Sequence, residues 1–449
     1  RSMYQGLYAF MSATKERRDL LLFQREPQFD VALDKQIAEA ADDFTRIALK
    51  AKAAKDYFLL VGPPGTGKTS CALKKMVETF YKEEGAQILL LSYTNRAVDE
   101  ICKALSSIRP EVDFIRVGSE LSCDENYRDH LIENELATCM RRTEVCERIN
   151  RCRILVGTVA SISGKPELFR LKHFDVAIVD EATQILEPQL LGILCAKGEN
   201  GKEGVGKFIL IGDHKQLPAV VLQNTEQSEV YDEALSAVGL KNLKDSLFAR
   251  LYRTARQHTD AHRTYDMLCR QGRMHPEVAL FANQAFYEGR LLPVGLPHQL
   301  EDSGNINRLS FYPSQPEPMG SSAKTNHSEA KIAARLAATV YKEHSEAFDA
   351  SRTLGIITPY RSQIALVKKE IEALGIPELN QILIDTVERF QGSELDVIIY
   401  SFCVNYPYQL KFLSNLTEED GILIDRKLNV ALTRARKQML LTGVPTLLE

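Results

Sequence analysis

The segment LLVGPPGTGKTSCA, residues 59–72, constrains the fold of this chain more than any other stretch. It contains the pattern G-x-x-x-x-G-K-T from Gly62 to Thr69, with an apolar run before it and a helix-compatible run after it. In such a loop, glycines let backbone N–H groups turn towards phosphates, the lysine supplies a positive charge, and the threonine hydroxyl can ligate Mg²⁺. The pattern predicts a strand, a phosphate-binding loop and a helix, with Lys68 and Thr69 in those two roles.

Short apolar runs alternate with longer helical patterns along the rest of the chain, which predicts parallel sheets with right-handed crossovers. One group of runs begins at Phe58, Gln87, Arg153, Val176 and Lys207, and a second group begins at Gly355, Val397 and Met439. Between the groups, residues 291–322 are rich in Pro, Gly, Ser and Asn and read as an extended loop. The sequence therefore predicts an α/β chain of two domains, residues 1–262 and 263–449, of which only the first carries a phosphate loop.

Length and charge limit the class of protein. The 449 residues are too many for one compact core, and 56 basic against 60 acidic residues give a net charge of −4. There is no global basic field, so any contact with nucleic acid must come from local patches. We find no apolar run of transmembrane length and no signal peptide, and nine scattered cysteines suit a reducing compartment. We expect a soluble intracellular protein without a membrane partner, cytoplasmic in a prokaryote and nuclear or cytoplasmic in a eukaryote.

Further polar stretches suit nucleotide hydrolysis. In VAIVDEATQ, Asp180 and Glu181 end an apolar strand, where one carboxylate can hold Mg²⁺ and the other can orient or deprotonate a water. In LIGDHKQLP, Gln216 follows another strand, where its amide can sense the γ-phosphate and transmit its presence to the track. In the second domain, Arg273 in QGRMHP and Arg434 in NVALTRAR can present positive charge to a nucleotide bound by the first. Taken singly, these stretches also read as a surface acidic pair, a polar turn and solvated arginines.

Taken together, these stretches resemble the superfamily 1 helicases, in the 1B branch that includes the nonsense-mediated-decay RNA helicase and the eukaryotic replication helicase-nuclease. They follow the family's order from Gly62 to Arg436 and cover most of the chain. The matching stretches are GPPGTGKT, LSYTNRAVDEI, GTVAS, VDEATQ, GDHKQLP, QGRMHP with FANQAFYEGRL, ITPYRSQI, DTVERFQGSELDVII and LNVALTRAR. The resemblance implies two RecA-like P-loop NTPase domains with parallel sheets, and a small helical insertion near 118–152 in the first.

The resemblance also implies roles for individual residues, with ATP and Mg²⁺ as cofactors. The implied catalytic residues are Lys68, Glu181, Gln216 and the two arginine fingers, Arg273 and Arg434. The metal would be held by Thr69 and Asp180. The implied nucleotide-binding residues are Gly62, Pro63, Pro64, Gly65, Thr66, Gly67, Lys68, Thr69, Ser70, Gln36 and, at the sugar, Glu394. The residues implied to line a single-strand track are Thr94, Asn95, Thr158, Pro359, Tyr360 and Thr386.

Three positions depart from the family pattern. Gly272 stands where the decay helicase has an aromatic that stacks on the base, so that contact is missing here. Ser393 replaces the arginine usual in FQGRE, which weakens any inference about local ion pairs of that motif. The family's upstream glutamine reads the adenine edge; Gln36 is a candidate at unusually long spacing, with Gln24 and Gln28 as rivals.

Two regions outside the motifs bear on nucleic acid. A basic segment precedes the GTVAS strand and comprises Arg141, Arg142, Arg148, Arg151 and Arg153. Because Glu144 and Glu147 interleave with it, a solvated face is the favoured interpretation and phosphate contact the alternative. The family places a β-barrel upstream of the phosphate loop, whereas about sixty residues with a helical pattern precede Gly62 here. We therefore expect a piece of a longer chain with an upstream accessory domain.

These observations predict an ATP-dependent helicase or translocase that tracks on single-stranded DNA or RNA. The resemblance alone implies 5′-to-3′ movement. One alternative is a translocase that remodels nucleoprotein without separating strands, and another is a nucleic-acid clamp switched by ATP. We also expect this chain by itself to unwind duplexes poorly, because separating a base-pair step costs roughly 1.4 kcal/mol and the accessory domain would help to block reannealing.

Overall fold

The computed structural model describes residues 2–199, 201–223, 225–258, 263–304, 306–318, 320–419 and 421–448. The chain divides into two compact units. Unit 1 comprises Arg1–Pro63, Gly67–His214 and Pro218–Leu268, and unit 2 comprises Cys269–Glu449 with two short pieces, Pro64–Thr66 and Lys215–Leu217. The sequence analysis placed the domain boundary after residue 262, and the changeover along the main chain lies at Leu268.

Unit 1 is built on a seven-stranded sheet in the order β3-β4-β2-β5-β6-β1-β7, and all its pairings are parallel. Its strands are β1 (Tyr57–Val61), β2 (Ile88–Ser92), β3 (Phe114–Val117), β4 (Ile154–Thr158), β5 (Phe174–Val179), β6 (Val205–Gly212) and β7 (Tyr265–Met267). The five apolar runs predicted as strands in this part of the chain are therefore confirmed.

The helices of unit 1 connect these strands and cover the sheet. They are α1 (Ser2–Ser12), α2 (Lys15–Leu21), α3 (Asp34–Ala38), α4 (Asp43–Ala53), α5 (Lys74–Tyr81), α6 (Asn95–Ser106), α7 (Ile132–Glu135), α8 (Arg142–Arg151), α9 (Val159–Ser163), α10 (Glu167–Leu171), α11 (Glu187–Leu194), α12 (Thr225–Ser228), α13 (Glu233–Ala237) and α14 (Leu247–Gln257). Between β3 and β4 the structure has two 3₁₀ turns, α7 and α8, so this region is helical.

Alternate side chains of the same strand pack into two separate hydrophobic cores, as expected for a sheet that is covered on both faces. In β1, Leu59 belongs to one buried cluster together with Leu91 and Val179. Its neighbour Leu60 belongs to the other cluster, with Leu90. Because successive residues of a strand point to opposite faces, an uninterrupted apolar run such as YFLLV is required at this position.

Unit 2 has a five-stranded parallel sheet in the order β10-β16-β13-β11-β12. Its strands are β8 (Arg270–Gln271), β9 (Leu292–Pro293), β10 (Leu309–Pro313), β11 (Leu354–Ile357), β12 (Leu383–Asp385), β13 (Leu395–Ser401), β14 (Leu416–Glu419), β15 (Ile422–Asp425) and β16 (Ala435–Gly443). Of these, β8 and β9 form a two-stranded parallel pair and β14 and β15 an antiparallel hairpin.

The helices of unit 2 are α15 (Pro276–Phe286), α16 (Pro297–Leu300), α17 (His327–Glu343), α18 (Arg361–Glu372), α19 (Val387–Phe390), α20 (Leu410–Leu413), α21 (Arg426–Leu432) and α22 (Pro445–Leu448). Two buried clusters again lie on the faces of the sheet, with Ile398 in one and Ile399 in the other. The two parallel sheets confirm the predicted α/β class with RecA-like domains. No helix in the described part of the chain is both long and apolar enough to cross a membrane.

One prediction about organisation is wrong. Residues 291–322, which read as an extended loop, contain β9, α16 and the edge strand β10. The sequence LSFYP lacks a continuous apolar run because β10 pairs on one side only, with β16, and its residues stay largely exposed. Proline ends this strand at Pro313, a position compatible with an edge strand but not with a central one.

Candidate active site and nucleic-acid interface

The phosphate loop follows β1 directly and has the backbone that its glycines predict. Gly65 and Gly67 have φ values of +73° and +74°, in the left-handed region that favours glycine. At Gly62 a Cβ atom would lie 2.1 Å from Cγ of Lys68, so the lysine side chain folds back over the start of the loop. A helical segment begins at Lys68 immediately after the loop, so N–H groups at its start are available to an anion.

Unit 1 brings four predicted residues together at the carboxyl ends of its strands. Thr69 Oγ1 donates a hydrogen bond to Asp180 Oδ2 at 2.5 Å. Nζ of Lys68 lies 3.4 Å from Oε1 of Glu181, and both side chains are mostly buried. The loop and the acidic pair are more than a hundred residues apart in sequence, and parallel packing of β1 and β5 against β6 places them at one edge.

The environment of Asp180 suits a divalent cation. The side chain is buried, and burial followed by the charge of Glu181 raises the pKa of Asp180 to about 6, against the opposing effects of Lys68 and the Thr69 hydroxyl. A buried carboxylate next to a second carboxylate gains stability from a nearby cation, and Mg²⁺ prefers such oxygen donors. Thr69 and Asp180 therefore fit the role of metal ligands.

Glu181 has an unusual backbone. Its φ is +53° and its ψ is +36°, a left-handed conformation that is uncommon for residues other than glycine. The conformation is held by local hydrogen bonds, in which Glu181 N donates to Asp180 Oδ1 (2.9 Å) and Gln184 Nε2 donates to Glu181 Oε2 (3.0 Å). Backbone strain of this kind clusters at functional sites, which agrees with the role predicted for this carboxylate.

In unit 2, Arg434 is buried and joined to Gln216. Arg434 Nη2 donates to Gln216 Oε1 at 3.2 Å, and Arg434 Nε donates to the carbonyl of Val430 at 3.0 Å. Arg434 Nη1 also donates to the carbonyl of Ser393 at 3.4 Å. Ser393, which departs from the family pattern, therefore contacts Arg434 through its backbone and not through its side chain. The predicted γ-phosphate sensor and one predicted finger are thus direct neighbours within unit 2.

The second predicted finger pairs with the predicted sugar-binding residue. Arg273 Nε donates to Glu394 Oε2 at 2.6 Å, and Arg273 Nη1 donates to the carbonyl of Thr433 at 3.2 Å. Burial tends to raise the pKa of Glu394, but Arg273 and two further arginines outweigh it and lower that pKa. Glu394 is therefore negatively charged, and its ion pair holds Arg273 beside Thr433, the neighbour of Arg434 in sequence. Sequence reasoning assigned the two side chains separate tasks and missed this ion pair.

The predicted track residues share one kind of position, the junction between the end of a parallel strand and the start of a helix. Thr94 lies between β2 and α6, Tyr360 between β11 and α18, and Thr386 between β12 and α19, whereas Thr158 is the last residue of β4 and directly precedes α9. Asn95 and Pro359 are their immediate neighbours. Backbone N–H groups at the start of a helix are natural partners for phosphates, most clearly at the twelve-residue helices α6 and α18.

The side chains at these junctions differ in how they are used. Thr94 is exposed, and its hydroxyl caps α6 by accepting a hydrogen bond from Ala97 N at 3.2 Å. Thr158 is buried, and its hydroxyl both accepts from Ser161 N (3.0 Å) and donates to Ser161 Oγ (2.9 Å). Its contribution to a track would therefore come through the helix start that it caps.

The upstream glutamines that could read the adenine edge all lie at exposed positions. Gln36 is exposed on α3, and Gln24 and Gln28 are also exposed. The upstream side chain that approaches the loop is Phe44 at the start of α4, whose Cζ lies 3.5 Å from the position of a Cβ atom on Gly67. Sequence reasoning missed Phe44, because it looked for an amide that reads an adenine edge.

Two arginines of the basic segment before β4 form contacts within unit 1. Arg148 forms ion pairs with Asp113 (3.0 Å) and Glu135 (2.7 Å). Arg153 stacks on the ring of Tyr81, at 3.9 Å from its centroid. These two arginines therefore serve the packing of unit 1.

Comparisons with known proteins match most of this chain. Two family models described as AAA domains match the chain, one over residues 39–145 and 132–224 and the other over residues 243–446. The DNA replication ATP-dependent helicase/nuclease of Bos taurus is 28% identical over 97% of this chain and 41% of its own length. The DNA polymerase alpha-associated DNA helicase A of Saccharomyces cerevisiae is 26% identical over 90% of this chain and 64% of its own length.

The solved complex of an Arterivirus nonstructural protein 10 helicase with DNA shares 16% identity, with a TM-score of 0.43 over 89% of this chain and 62% of that one. The chain spans about two fifths of the helicase/nuclease relative and less than two thirds of the yeast helicase. The two family models together match residues 39–224 and 243–446, and these sequence relatives match 90–97% of the chain. The chain belongs to the superfamily 1 helicases, in the branch of the replication helicase-nuclease.

Proposed function

We propose that this chain is an ATP-dependent motor that tracks along single-stranded nucleic acid in the 5′-to-3′ direction. The observation that carries the proposal is the joined set in unit 1, in which the phosphate-loop residues Lys68 and Thr69 meet Glu181 and Asp180. A phosphate cradle next to a buried acidic pair suits hydrolysis of a nucleoside triphosphate. The names of both sequence relatives include a helicase activity, which supports the same class of reaction.

Each residue of the set has a chemical task in this proposal. Lys68 binds the β- and γ-phosphates, and Glu181 orients the attacking water and accepts its proton. Thr69 and Asp180 would hold Mg²⁺, which would supply positive charge to the phosphates. Arg273 and Arg434 stabilise the negative charge that develops in the transition state, and Gln216 reports the γ-phosphate through its bond to Arg434.

The track is the second part of the proposal. Strand-to-helix junctions in each unit offer backbone N–H groups to phosphates, and this kind of contact is independent of base sequence. We therefore propose that strands of different sequence stimulate hydrolysis. Steady-state ATPase rates with matched DNA and RNA oligonucleotides of equal length test this. Equal rates with and without strands, at low salt and saturating oligonucleotide, would refute a motor.

Two other functions differ from this proposal in a measurable way. A nucleoprotein-remodelling translocase would displace a bound protein from a single strand without opening a duplex, so a displacement assay beside an unwinding gel separates it from a helicase. A clamp switched by ATP would bind nucleotide without sustained turnover. The pairing of Lys68 with Glu181 favours turnover, because a clamp has no use for a residue that activates water.

A further inference from the structure

Three aromatic side chains form an exposed cluster in unit 2, between β13 and β14. The rings of Tyr406 and Tyr408 are nearly parallel, at 14°, with centroids 5.7 Å apart. The ring of Phe412 meets Tyr408 edge-on, at 6.5 Å and 82°. Tyr408 is 54% exposed and Phe412 is 71% exposed, so much of this apolar surface faces water. Exposed aromatic surface grouped in this way marks an interaction site, and we call these three residues the aromatic platform.

A buried glutamine fixes the backbone of the platform. Gln409 Oε1 accepts hydrogen bonds from the N–H groups of Asn405 and Tyr406, both at 2.9 Å. Gln409 Nε2 donates to the carbonyl of Ala323 at 2.7 Å and to the hydroxyl of Tyr360 at 2.9 Å. Four hydrogen bonds from one side chain hold the YPYQ turn in place. A partner that stacks on these rings therefore pays little entropy to order them.

The same glutamine joins the platform to the predicted track. Tyr360 ends the loop after β11 and directly precedes α18, one of the two long helices whose N-terminus is available to phosphates. Pro359 and Tyr360 are the predicted track residues at this junction, and the residues around Tyr406 lie more than forty positions later in the chain. The platform therefore extends that part of the surface.

Positive charge borders the platform. Lys324 follows Ala323, Arg361 follows Tyr360, and Lys411 precedes Phe412; all three residues are exposed. Aromatic rings beside cations are what a single strand requires, because its bases stack on the rings while its phosphates contact the cations. A protein partner with an apolar surface would have no need of this charge, and a duplex hides the faces of its bases.

We propose that the aromatic platform stacks the bases of a single-stranded nucleic acid, with Lys324, Arg361 and Lys411 next to its phosphates. The inference rests on the proposed motor function and adds a site that reads the planar face of a base. Stacking on Tyr408 and Phe412 tolerates any sequence, since every base has such a face. Gln409 is a positioning residue, which acts by holding Tyr406 and Tyr360 in place.

The test measures binding by fluorescence anisotropy with two labelled probes, an oligo(dT) strand and a strand of equal length made of abasic sites. The variants are Tyr408→Ala and Phe412→Ala in the full chain. Each is expected to weaken oligo(dT) binding about tenfold and to leave binding of the abasic strand within about twofold. Tyr408→Trp should retain oligo(dT) binding, because it keeps an aromatic ring at this position. Retained binding would show that a substitution at residue 408 does not by itself disrupt the fold. Tyr8→Ala, an exposed tyrosine on α1 of unit 1, is the matched control and should change neither probe.

Other outcomes overturn the inference. Unchanged oligo(dT) binding in both alanine variants, or an equal loss of binding for both probes, would refute base stacking by the platform. Neither result would affect the proposal that single strands stimulate ATP hydrolysis. Loss of self-association in sedimentation, with strand affinity intact, would make the platform a contact between two copies. If the unaltered chain binds neither probe and no strand stimulates its ATPase, the proposed function fails together with the platform.

Discussion

At the scale of single residues, unit 2 buries Arg434, the residue proposed as an arginine finger. Arg434 is 2% exposed and donates hydrogen bonds to Val430, Ser393 and Gln216. Its guanidinium is therefore oriented in advance, and little reorganisation is needed to place charge at a transition state. The same contacts give Arg434 a share in the packing of unit 2, so its catalytic and structural effects must be measured separately.

We predict that Arg434→Ala lowers ATP turnover on the order of a thousandfold and leaves nucleotide affinity within a few fold, because a finger acts on charge that develops in the transition state. Steady-state ATPase with saturating single strand and binding of a fluorescent ATP analogue measure the two effects. A melting curve separates lost chemistry from lost folding. Arg335→Ala, at an exposed position of α17, is the control and should leave turnover unchanged. Near-normal turnover in Arg434→Ala would remove the finger assignment.

A second residue, Glu329, is a buried carboxyl through which we expect the stability of unit 2 to depend on pH. It is fully buried and accepts hydrogen bonds from Ser401 Oγ (2.6 Å) and Cys403 N (2.8 Å). Burial raises the pKa of Glu329 to about 7 from an ordinary value of 4.5, and these hydrogen bonds oppose the rise. The folded state therefore binds this proton more tightly than the unfolded state. Its stabilising contribution is complete below pH 4.5 and is lost as pH rises through 7.

We predict that Glu329→Gln reduces the fall in stability of unit 2 between pH 5 and pH 8. The contribution is on the order of 3 kcal/mol, because each pKa unit corresponds to roughly 1.4 kcal/mol. Melting temperatures of the parent chain and the variant at both pH values measure it. Glu343→Gln, at the exposed end of the same helix, should behave as the parent chain. An identical pH dependence in Glu329→Gln and the parent would exclude this carboxyl as the source.

At the scale of elements, a buried arginine of unit 1 joins several helices through polar contacts. Arg250 of α14 forms a two-point ion pair with Glu187 at the start of α11, through Nε (2.8 Å) and Nη2 (2.6 Å). The same guanidinium donates to the carbonyls of Leu21, at the end of α2, and Val238. One side chain thus fixes three helices in register.

We predict that Arg250→Ala lowers the free energy of unfolding by about 3–5 kcal/mol, because it leaves the largely buried carboxylate of Glu187 without its partner. Urea unfolding followed by circular dichroism measures the change. Arg253→Ala is the matched control on the same helix, since the pair of Arg253 with Asp245 is more exposed and should cost below about 1 kcal/mol. Similar losses in both variants would mean that burial of the Arg250 pair contributes nothing.

At the scale of the whole molecule, charge decides how nucleic acid is held. The net charge of −4 gives no long-range attraction to a polyanion. Under the proposed function, binding therefore comes from local sets such as the exposed Lys324, Arg361 and Lys411, and from helix starts. Contacts of both kinds go to phosphates, so they release counterions when they form.

We predict that single-strand affinity falls with salt for strands of any sequence: the logarithm of the association constant, plotted against the logarithm of the salt concentration, should have a slope of about −0.7 per phosphate contacted. Anisotropy titrations between low and physiological salt measure the slope. The variant Lys411→Ala should reduce the magnitude of the slope by about 0.7, the value for one phosphate contact. The control is Lys35→Ala, at an exposed lysine of unit 1, which should leave the slope unchanged. A slope near zero would mean that phosphates are not the main partners.

The order of the motifs and the apolar runs predicted the class of fold because these signals are local. An apolar run such as YFLLV must be buried on both faces, and GPPGTGKT must form a loop before a helix. The edge strand β10 escaped prediction because one side of it is unpaired and its residues stay exposed. Phe44 and Gln409 escaped because the groups they approach, Gly67 and Tyr360, are distant in sequence and no spacing rule links them.

The sequence by itself determined which chemistry this chain can carry, since phosphate loops, acidic pairs and arginines act through the identity of their side chains. Tertiary structure alone decided which of these groups meet. It paired Lys68 with Glu181, Arg434 with Gln216, and Arg273 with Glu394. The physical reason is that parallel strands bring their carboxyl ends to one edge whatever their order in the chain, and burial then fixes the charge and direction of each side chain.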